Sequence, residues 1–217
     1  MNRLIKYEEG YALTGQDVVN IAKPNKVKYM LYNSLSRYNS IDEVLHGTDG
    51  VVILLEIKDG KSNVGHFVCI FKNKQGINYF DSYAMGMDKD LSLMHENPKI
   101  FQKLFRNKKV KQNKKKYQKL KKDIQSCGRW CGVRLRFHEL TDNEFHKLMT
   151  SSKYEPDDLV SLMTLLISPQ LKGHELVKYS NVHLGGIVDY QGMNQYQQRD
   201  HKHNYDHFRV NGLPYHI

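Results

Sequence analysis

The type of fold we expect rests mainly on the sequence GHFVCIFKNKQGINYFD at residues 65–81. Two runs of β-branched, aromatic and aliphatic residues flank a short polar turn that ends in glycine, a pattern typical of a β-hairpin. A further apolar run, VVILLEI at residues 51–57, precedes the hairpin and predicts a buried strand. We therefore expect a central, mainly antiparallel sheet.

The hairpin loop sets which side chains share a face of that sheet. With Asn73 opposite Gly76, His66 falls opposite Tyr83, and Asp81 lies two residues from that position. His66 and Asp81 are then diagonal neighbours with backbones roughly 7–8 Å apart, a gap that an imidazole and a carboxylate can bridge. A loop with an odd number of residues would place them on opposite faces.

Helices are predicted before and after these strands in the sequence. Capping residues or a proline mark where they begin. The predicted starts are Thr14, Ser40, Pro98, Ser126, Thr141 and Pro156. The helix after Ser126 carries CGRWCGVRL at residues 127–135, so that Cys127 is its first residue.

The position of Cys127 gives it a candidate chemical role. A cysteine acts as a nucleophile when it is a thiolate, and a helix N-terminus lowers the pKa of a thiol. His66 can serve as the general base, with Asp81 orienting its imidazole. A lone histidine on a strand is more often structural, and a cysteine at a helix start is commonly inert. The hypothesis rests on all three residues together.

Three blocks carry a resemblance to a known group of enzymes: GHFVC at 65–69, YFDSY at 79–83 and SCGRWC at 126–131. They resemble the adenovirus maturation protease and the ubiquitin-like-protein-specific proteases. The Cys-Gly-Arg-Trp form is similar, in particular, to proteases of virophages, Polinton-type elements and large DNA viruses. The resemblance covers residues 10–167. It implies an α+β fold in which the sheet packs on a buried helix that starts at Cys127.

The resemblance also implies roles for individual residues. His66 is the base, Asp81 the orienting acid and Cys127 the nucleophile, and a glutamine upstream of the cysteine donates to the oxyanion. Gln118 and Gln125 are both candidates. We favour Gln118, although it lies farther from the cysteine than the family's spacing. Gln125 lies two residues before Cys127 and would have to fold back.

The implied function is a viral cysteine endopeptidase that cleaves capsid or core precursor proteins, at glycine-containing sites. We expect it to act in the virion, or in the host cytoplasm or viral factory during assembly. No metal or other cofactor is expected; DNA or a viral peptide is a candidate activator. Two alternatives remain: a ubiquitin-like deconjugating isopeptidase, and a basic nucleic-acid-binding virion protein with a vestigial site. Acetyltransferase activity is a lesser alternative.

Charge and the other cysteines add further expectations. The formal net charge of +10 suggests an acidic partner, and the Lys- and Arg-rich stretch 103–122 is either a solvated loop or a surface for non-specific DNA binding. Cys131 is either one member of a redox or metal pair or, as we favour, a small buried residue. Cys69 is expected in the core. Three cysteines and no apparent signal peptide or long apolar run favour an intracellular protein without a membrane span.

The composition changes toward the C-terminus. We expect a cysteine protease domain over residues 1–170 and a polar extension over 171–217, which is rich in Gln, Asn, His, Tyr and Gly. The extension contains Leu184-Gly185-Gly186-Ile187. Proteases of the resembled group often cut after Gly-Gly, so this is either a self-processing site or, as we favour, a glycine turn.

Overall fold

The computed structural model describes residues 2–58, 63–121 and 123–167, together with the backbone of 209–210 and 213–214. The chain forms two compact units, Glu8–Ser168 and a second made of Met1–Tyr7 with Pro169–Ile217. The Leu184-Gly185-Gly186-Ile187 stretch lies outside the described residues, as does most of the predicted extension.

Eight α-helices occur in the described ranges. They are α1 Asn2–Gly10, α2 Gly15–Ala22, α3 Ile41–Leu45, α4 Met87–Leu93, α5 Lys99–Leu104, α6 Cys127–Arg136, α7 Asp142–Thr150 and α8 Pro156–Ile167. A 3-10 helix spans Tyr32–Arg37. None of these described helices has the length and apolar character needed to cross a bilayer.

The first unit contains one five-stranded sheet in the order β1-β2-β3-β4-β5. Its strands are β1 Val27–Leu31, β2 Gly50–Lys58, β3 Asn63–Asn73, β4 Gly76–Phe80 and β5 Val110–Gln112. The central pairs β2–β3 and β3–β4 are antiparallel, and the edge strands β1 and β5 are parallel to their neighbours. In the second unit, β6 Arg209–Val210 pairs antiparallel with β7 Leu213–Pro214.

Helices cover both faces of the five-stranded sheet. One face, with Val52, Cys69 and Phe80, belongs to a hydrophobic core that includes residues of α2, α6, α7 and α8. The other face, with Ile53 and Tyr79, packs with residues of the 3-10 helix, α3, α4 and α5. Because side chains alternate along each strand, the two sets of strand residues form separate cores.

The predicted fold class, α+β with a mainly antiparallel central sheet on a buried helix that starts at Cys127, is confirmed. The hairpin register is also confirmed, because Asn73 pairs with Gly76. Thr14 and Thr141 form complete capping boxes at α2 and α7, as expected. Both edge strands, α1 and α4 were not predicted from the sequence.

Candidate active site

His66 and Asp81 meet where the hairpin ends. The Nε2 atom of His66 lies 2.8 Å from Oδ1 of Asp81, and both side chains are buried. Strand β3 continues beyond its last pair with β4, which joins Cys69 and Phe80, so His66 lies beside the segment that follows β4. The expectation that these two side chains share a face is therefore confirmed.

The Asp81 carboxylate is held by backbone groups on both oxygens. Oδ1 also accepts from the N–H of Tyr83 at 2.9 Å, and Oδ2 accepts from the N–H of Met85 at 2.8 Å. Asn113 fixes the peptide of Asp81: its Nδ2 donates to the carbonyl at 2.7 Å and its Oδ1 accepts from the N–H at 2.9 Å. Burial raises the pKa of Asp81, but the hydrogen bonds from His66 and from the two backbone N–H groups lower it by more, so that the pKa lies below its usual value.

Cys127, half-buried at the first residue of α6, faces His66. Burial raises the pKa of its thiol. The hydrogen bond and charge of His66, followed by the N–H groups of Phe67 and Gly128, outweigh that effect and lower the pKa. In turn, burial opposes protonation of His66, but hydrogen bonds to Asp81 and Cys127 raise its pKa to about 10. The arrangement therefore favours the thiolate–imidazolium form of this pair over the neutral form.

The thiol and the imidazole approach each other past the end of β4. Alternation places His66 on the face of Val68 and Tyr79, whereas α6 packs against the opposite face. Since β4 ends at Phe80, no strand separates the two groups at this point. Nε2 of His66 is bonded to Asp81, which leaves Nδ1 as the ring nitrogen for Cys127.

Ser126 occupies the N-cap position of α6, as predicted, but its hydroxyl does not cap the helix. It donates instead to Oδ1 of Asp157 at 2.8 Å. The expected capping bond was wrong because a buried carboxylate is the stronger acceptor for this hydroxyl. The first N–H groups of α6 are thus not occupied by a side-chain cap, and that of Gly128 is directed at the Cys127 sulfur.

The two candidate glutamines line the same cleft but differ in how firmly their side chains are held. Gln118 is buried, and its Oε1 accepts from the hydroxyl of Ser82 at 2.7 Å. This bond orients the amide. Nε2 makes one long contact of 3.4 Å with the carbonyl of Ile124, and its second hydrogen is available to another acceptor. Gln125 is exposed. The oxyanion role of Gln118 stays a prediction, and its fixed side chain supports it over Gln125.

Cys127, His66 and Gln118 line a cleft of about 930 Å³. Its walls are mainly apolar and come from Leu13, Tyr29, Leu54, Phe67, Leu93 and Met94. Two glycines make these walls possible. A Cβ on Gly15 would lie 2.4 Å from the Tyr29 ring, and one on Gly65 would lie 2.7 Å from Cδ1 of Leu54. The volume is at the upper end of small-molecule pockets.

The other two cysteines lie in the core. Cys69 and Cys131 are both fully buried, and burial raises the pKa of the Cys131 thiol well above its usual value. The Cys131 sulfur lies 3.3 Å from the carbonyl oxygen of Phe67. All three cysteines of the chain are free thiols. This arrangement agrees with Cys131 as a small buried residue.

Several residues of the site were assigned no role from the sequence, although Asp157 lies in a predicted helix start. Asn113 and Asp157 act through hydrogen bonds to partners more than 25 residues away, as Asp157 does with Ser126 and Trp130. Asp90 is buried behind the His66–Asp81 pair and accepts from the Tyr79 hydroxyl at 2.7 Å. A local motif cannot reveal such long-range partners.

A cation would have one candidate set of ligands within the described ranges. Ligand atoms of His66, Asp81 and Asp90 lie within 4.8 Å of one another. Two of these atoms, Nε2 of His66 and Oδ1 of Asp81, are already bonded to each other. A metal bound there would break the pair that orients the imidazole.

The chain matches no protein-family model. It is similar to the solved structure of the C-terminal Ulp1 protease domain in complex with Smt3, the yeast ortholog of SUMO. That match has a TM-score of 0.33 and 14% identity, and covers 78% of this chain and 75% of that chain. A TM-score this low leaves the family assignment to sequence.

A relative in sequence is uncharacterized protein V9 of Sputnik virophage. The two are 34% identical over 176 residues, and the match covers 74% of this chain and 98% of the virophage protein. A viral relative agrees with the viral origin expected from the Cys-Gly-Arg-Trp block. At this identity, over almost the whole relative, the chain belongs to the family of the Sputnik virophage protein V9.

Proposed function

We propose that the chain is a cysteine endopeptidase in which Cys127 is the nucleophile, His66 the acid–base residue and Asp81 its orienting partner. The observation that carries this proposal is the placement of His66 between Asp81, at 2.8 Å, and the Cys127 thiol at the start of α6. Nucleophile, base and orienting acid in hydrogen-bonding order are the arrangement that activates a thiol. The open apolar cleft beside them supports a polypeptide substrate.

The chemistry begins with attack by the Cys127 thiolate on the scissile carbonyl carbon. The carbonyl oxygen becomes an oxyanion, for which the N–H of Cys127 and the side-chain amide of Gln118 are the proposed donors. Protonated His66 gives its proton to the leaving amine, the C–N bond breaks and a thioester remains. His66 then deprotonates a water molecule that hydrolyses the thioester and restores the thiolate.

The substrates we propose are capsid or core precursor proteins, cut at glycine-containing sites during assembly in the host cytoplasm or viral factory, or in the virion. Support comes from the viral relative and from the cleft beside Cys127, which Phe67 and Leu13 help to line. Proteolysis of a mixed peptide library, read by mass spectrometry, would identify the accepted residues.

We propose non-specific DNA as a second partner. Arg106 and several lysines of the 103–122 stretch are exposed. Five exposed lysines around strand β5 are among those that form no ion pair with another described residue: Lys109, Lys111, Lys114, Lys115 and Lys116. A surface of unpaired cations is what a phosphate backbone binds. DNA is also the activator that we would test first, followed by viral peptides.

The reactivity of Cys127 tests the enzyme proposal. We would measure alkylation of Cys127, Cys131 and Cys69 across pH, in the wild type and in His66→Ala. Cys127 should label fastest below the ordinary thiol pKa of about 8.5, and His66→Ala should remove that advantage. Peptide hydrolysis should decline as pH rises through the His66 pKa of about 10, because the leaving amine then lacks a proton donor.

Cys131 is the internal control, since it lies on the same helix with a buried, unreactive thiol. Equal labelling of Cys127 and Cys131, with DNA added as well, would contradict the proposal and favour the nucleic-acid-binding virion protein. Covalent capture by a ubiquitin-based suicide probe would favour the deconjugating isopeptidase over the maturation enzyme.

A further inference from the structure

One buried carboxylate joins the segment before the nucleophile to the rest of the protein. Asp157, in the first turn of α8, is 1% exposed. Its Oδ1 accepts from the hydroxyl of Ser126 at 2.8 Å and from Nε1 of Trp130 at 3.0 Å. Its Oδ2 accepts from the backbone N–H of Lys119 at 2.8 Å. Both oxygens are thus engaged, with three donors.

Two of the three donors are direct neighbours of proposed site residues. Lys119 follows Gln118, the proposed oxyanion donor, and Ser126 precedes Cys127, the proposed nucleophile. The third donor, Trp130, lies one turn into α6 and is fully buried. The Asp157 carboxylate therefore fixes both ends of the segment 118–127 relative to each other.

Besides Asp157, bonds between Ser82 and Gln118 hold one end of this segment, and a bond from the Gln125 N–H to the Glu9 carbonyl oxygen holds the other. Few side chains between the two ends are packed in the core. Leu120 is 74% exposed, and Lys119, Lys121 and Gln125 are exposed as well. Ile124 is its one buried apolar residue within 119–125, apart from residue 122, which the structure does not describe. With so few packed side chains, hydrogen bonds decide where the ends of the segment lie.

We infer that Asp157 is a positioning residue that sets the distance between the Gln118 amide and the Cys127 sulfur. The inference rests on the proposed function, because it concerns the geometry of the oxyanion. Donors that are already in place stabilise the oxyanion without reorganisation, whereas a displaced donor loses most of its effect. Asp157 itself touches neither substrate nor the reacting atoms.

The test compares Asp157→Asn with the matched control Asp158→Asn. Asparagine retains one oxygen acceptor and replaces the other with an NH₂ group that cannot accept, so either Lys119 or the Ser126–Trp130 pair loses its partner. Asp158→Asn removes the same charge from the same turn of α8. Any effect that comes only from charge at the helix start will appear in both variants.

Three measurements follow, with the best peptide from the library as substrate. For Asp157→Asn we expect kcat about 10- to 100-fold lower with KM within about twofold, because only a transition-state interaction is weakened. The pH profile of Cys127 alkylation should stay unchanged, since His66 and Asp81 are untouched. The Lys119 amide should exchange its hydrogen faster than in Asp158→Asn.

The inference is overturned if the two variants match in kcat and in Lys119 exchange, or if Asp157→Asn lowers kcat and alkylation in parallel. If Asp157→Asn does not fold, Ser126→Ala keeps the carboxylate and removes one bond, and the same pattern at smaller size is expected. If the wild type cleaves no peptide and Cys127 labels no faster than Cys131, the proposed function fails. Lys119 exchange then still decides whether Asp157 anchors the segment.

Discussion

Cys127 and Cys131 lie one turn apart on α6, yet their thiols have opposite environments. Cys127 receives hydrogen bonds from His66 and two backbone N–H groups, and its pKa is lowered. Cys131 has a buried sulfur near the carbonyl of Phe67, and burial raises its pKa. Because hydrogen-bond donors stabilise a thiolate and a buried carbonyl oxygen does not, we expect Cys127 to be the more reactive of the two cysteines.

The oxyanion donor can be assigned by substituting each glutamine separately. Gln118→Ala should lower kcat about 100-fold, because the amide that Ser82 orients would be lost from the transition state. Gln125→Ala, at an exposed side chain, should change kcat by less than about threefold. Steady-state kinetics on one peptide checks both. The reverse order of effects would assign the role to Gln125.

Asp90 should make the stability of the protein depend on pH. Burial, followed by the charge of Asp81, raises the pKa of Asp90 from 3.8 to about 7. A group with a raised pKa in the folded state stabilises the fold below its unfolded pKa, and this contribution is lost as pH rises toward 7. The loss is on the order of 4 kcal/mol at most for such a shift.

Asp90→Asn should remove that dependence, because asparagine still accepts from the Tyr79 hydroxyl and has no charge to bury. Urea unfolding at pH 5 and pH 8 would measure it, with Asp88→Asn, an exposed position on the same helix, as the control. Parallel pH profiles for the wild type and Asp90→Asn would contradict this account.

At the scale of elements, the position of Cys127 depends on how closely α6 approaches α2. Gly128 and Gly132 lie on the side of α6 that faces α2. A Cβ on Gly132 would lie 2.7 Å from Cγ2 of Ile21 and 3.2 Å from the carbonyl oxygen of Val18. A glycine in a helix normally costs about 1 kcal/mol relative to alanine, so its presence here reflects the contact.

Gly132→Ala should therefore lower the free energy of unfolding by about 1–3 kcal/mol, because the clash outweighs the gain in helix propensity. Chemical denaturation checks this value. Adding Ile21→Ala removes the Cγ2 atom that the new methyl would meet, so the double variant should be more stable than the sum of the two single changes predicts. Strict additivity would show that the new methyl does not clash with Cγ2 of Ile21, since Cβ of residue 21, at 2.9 Å, is retained in both backgrounds.

The hairpin was predictable from sequence because its signals are local. Alternating apolar residues and one turn fix the register from Asn73 to Cys69, and with it the face shared by His66 and Asp81. The edge strand β1 pairs with residues more than 20 positions away, and β5 with residues more than 30 positions away, so no local pattern predicts them. The capping bond predicted for Ser126 was wrong for the same reason, since the acceptor that its hydroxyl binds instead, Asp157, is distant in sequence.

At the scale of the whole molecule, the net charge of +10 is concentrated in part along one edge. Strand β5 is a short edge strand, and the exposed lysines Lys109, Lys111, Lys114, Lys115 and Lys116 lie within it or next to it. Lysines on an edge strand also prevent unwanted strand pairing, which requires no ligand. Salt dependence separates the two explanations, because only binding to a polyanion releases counterions.

Replacing these five lysines with glutamine should weaken binding to duplex DNA and flatten its salt dependence. If each lysine neutralises one phosphate, the slope of log K against log salt should become less steep by about 4 to 5. A matched variant with five other exposed lysines replaced, Lys74, Lys89, Lys99, Lys147 and Lys153, has the same net charge. Fluorescence anisotropy over a salt series would compare the two. Equal slopes for both variants would mean that DNA binding depends on net charge alone. If the wild type shows no salt-dependent binding, DNA binding is excluded and the lysines at β5 are explained by protection of the sheet edge.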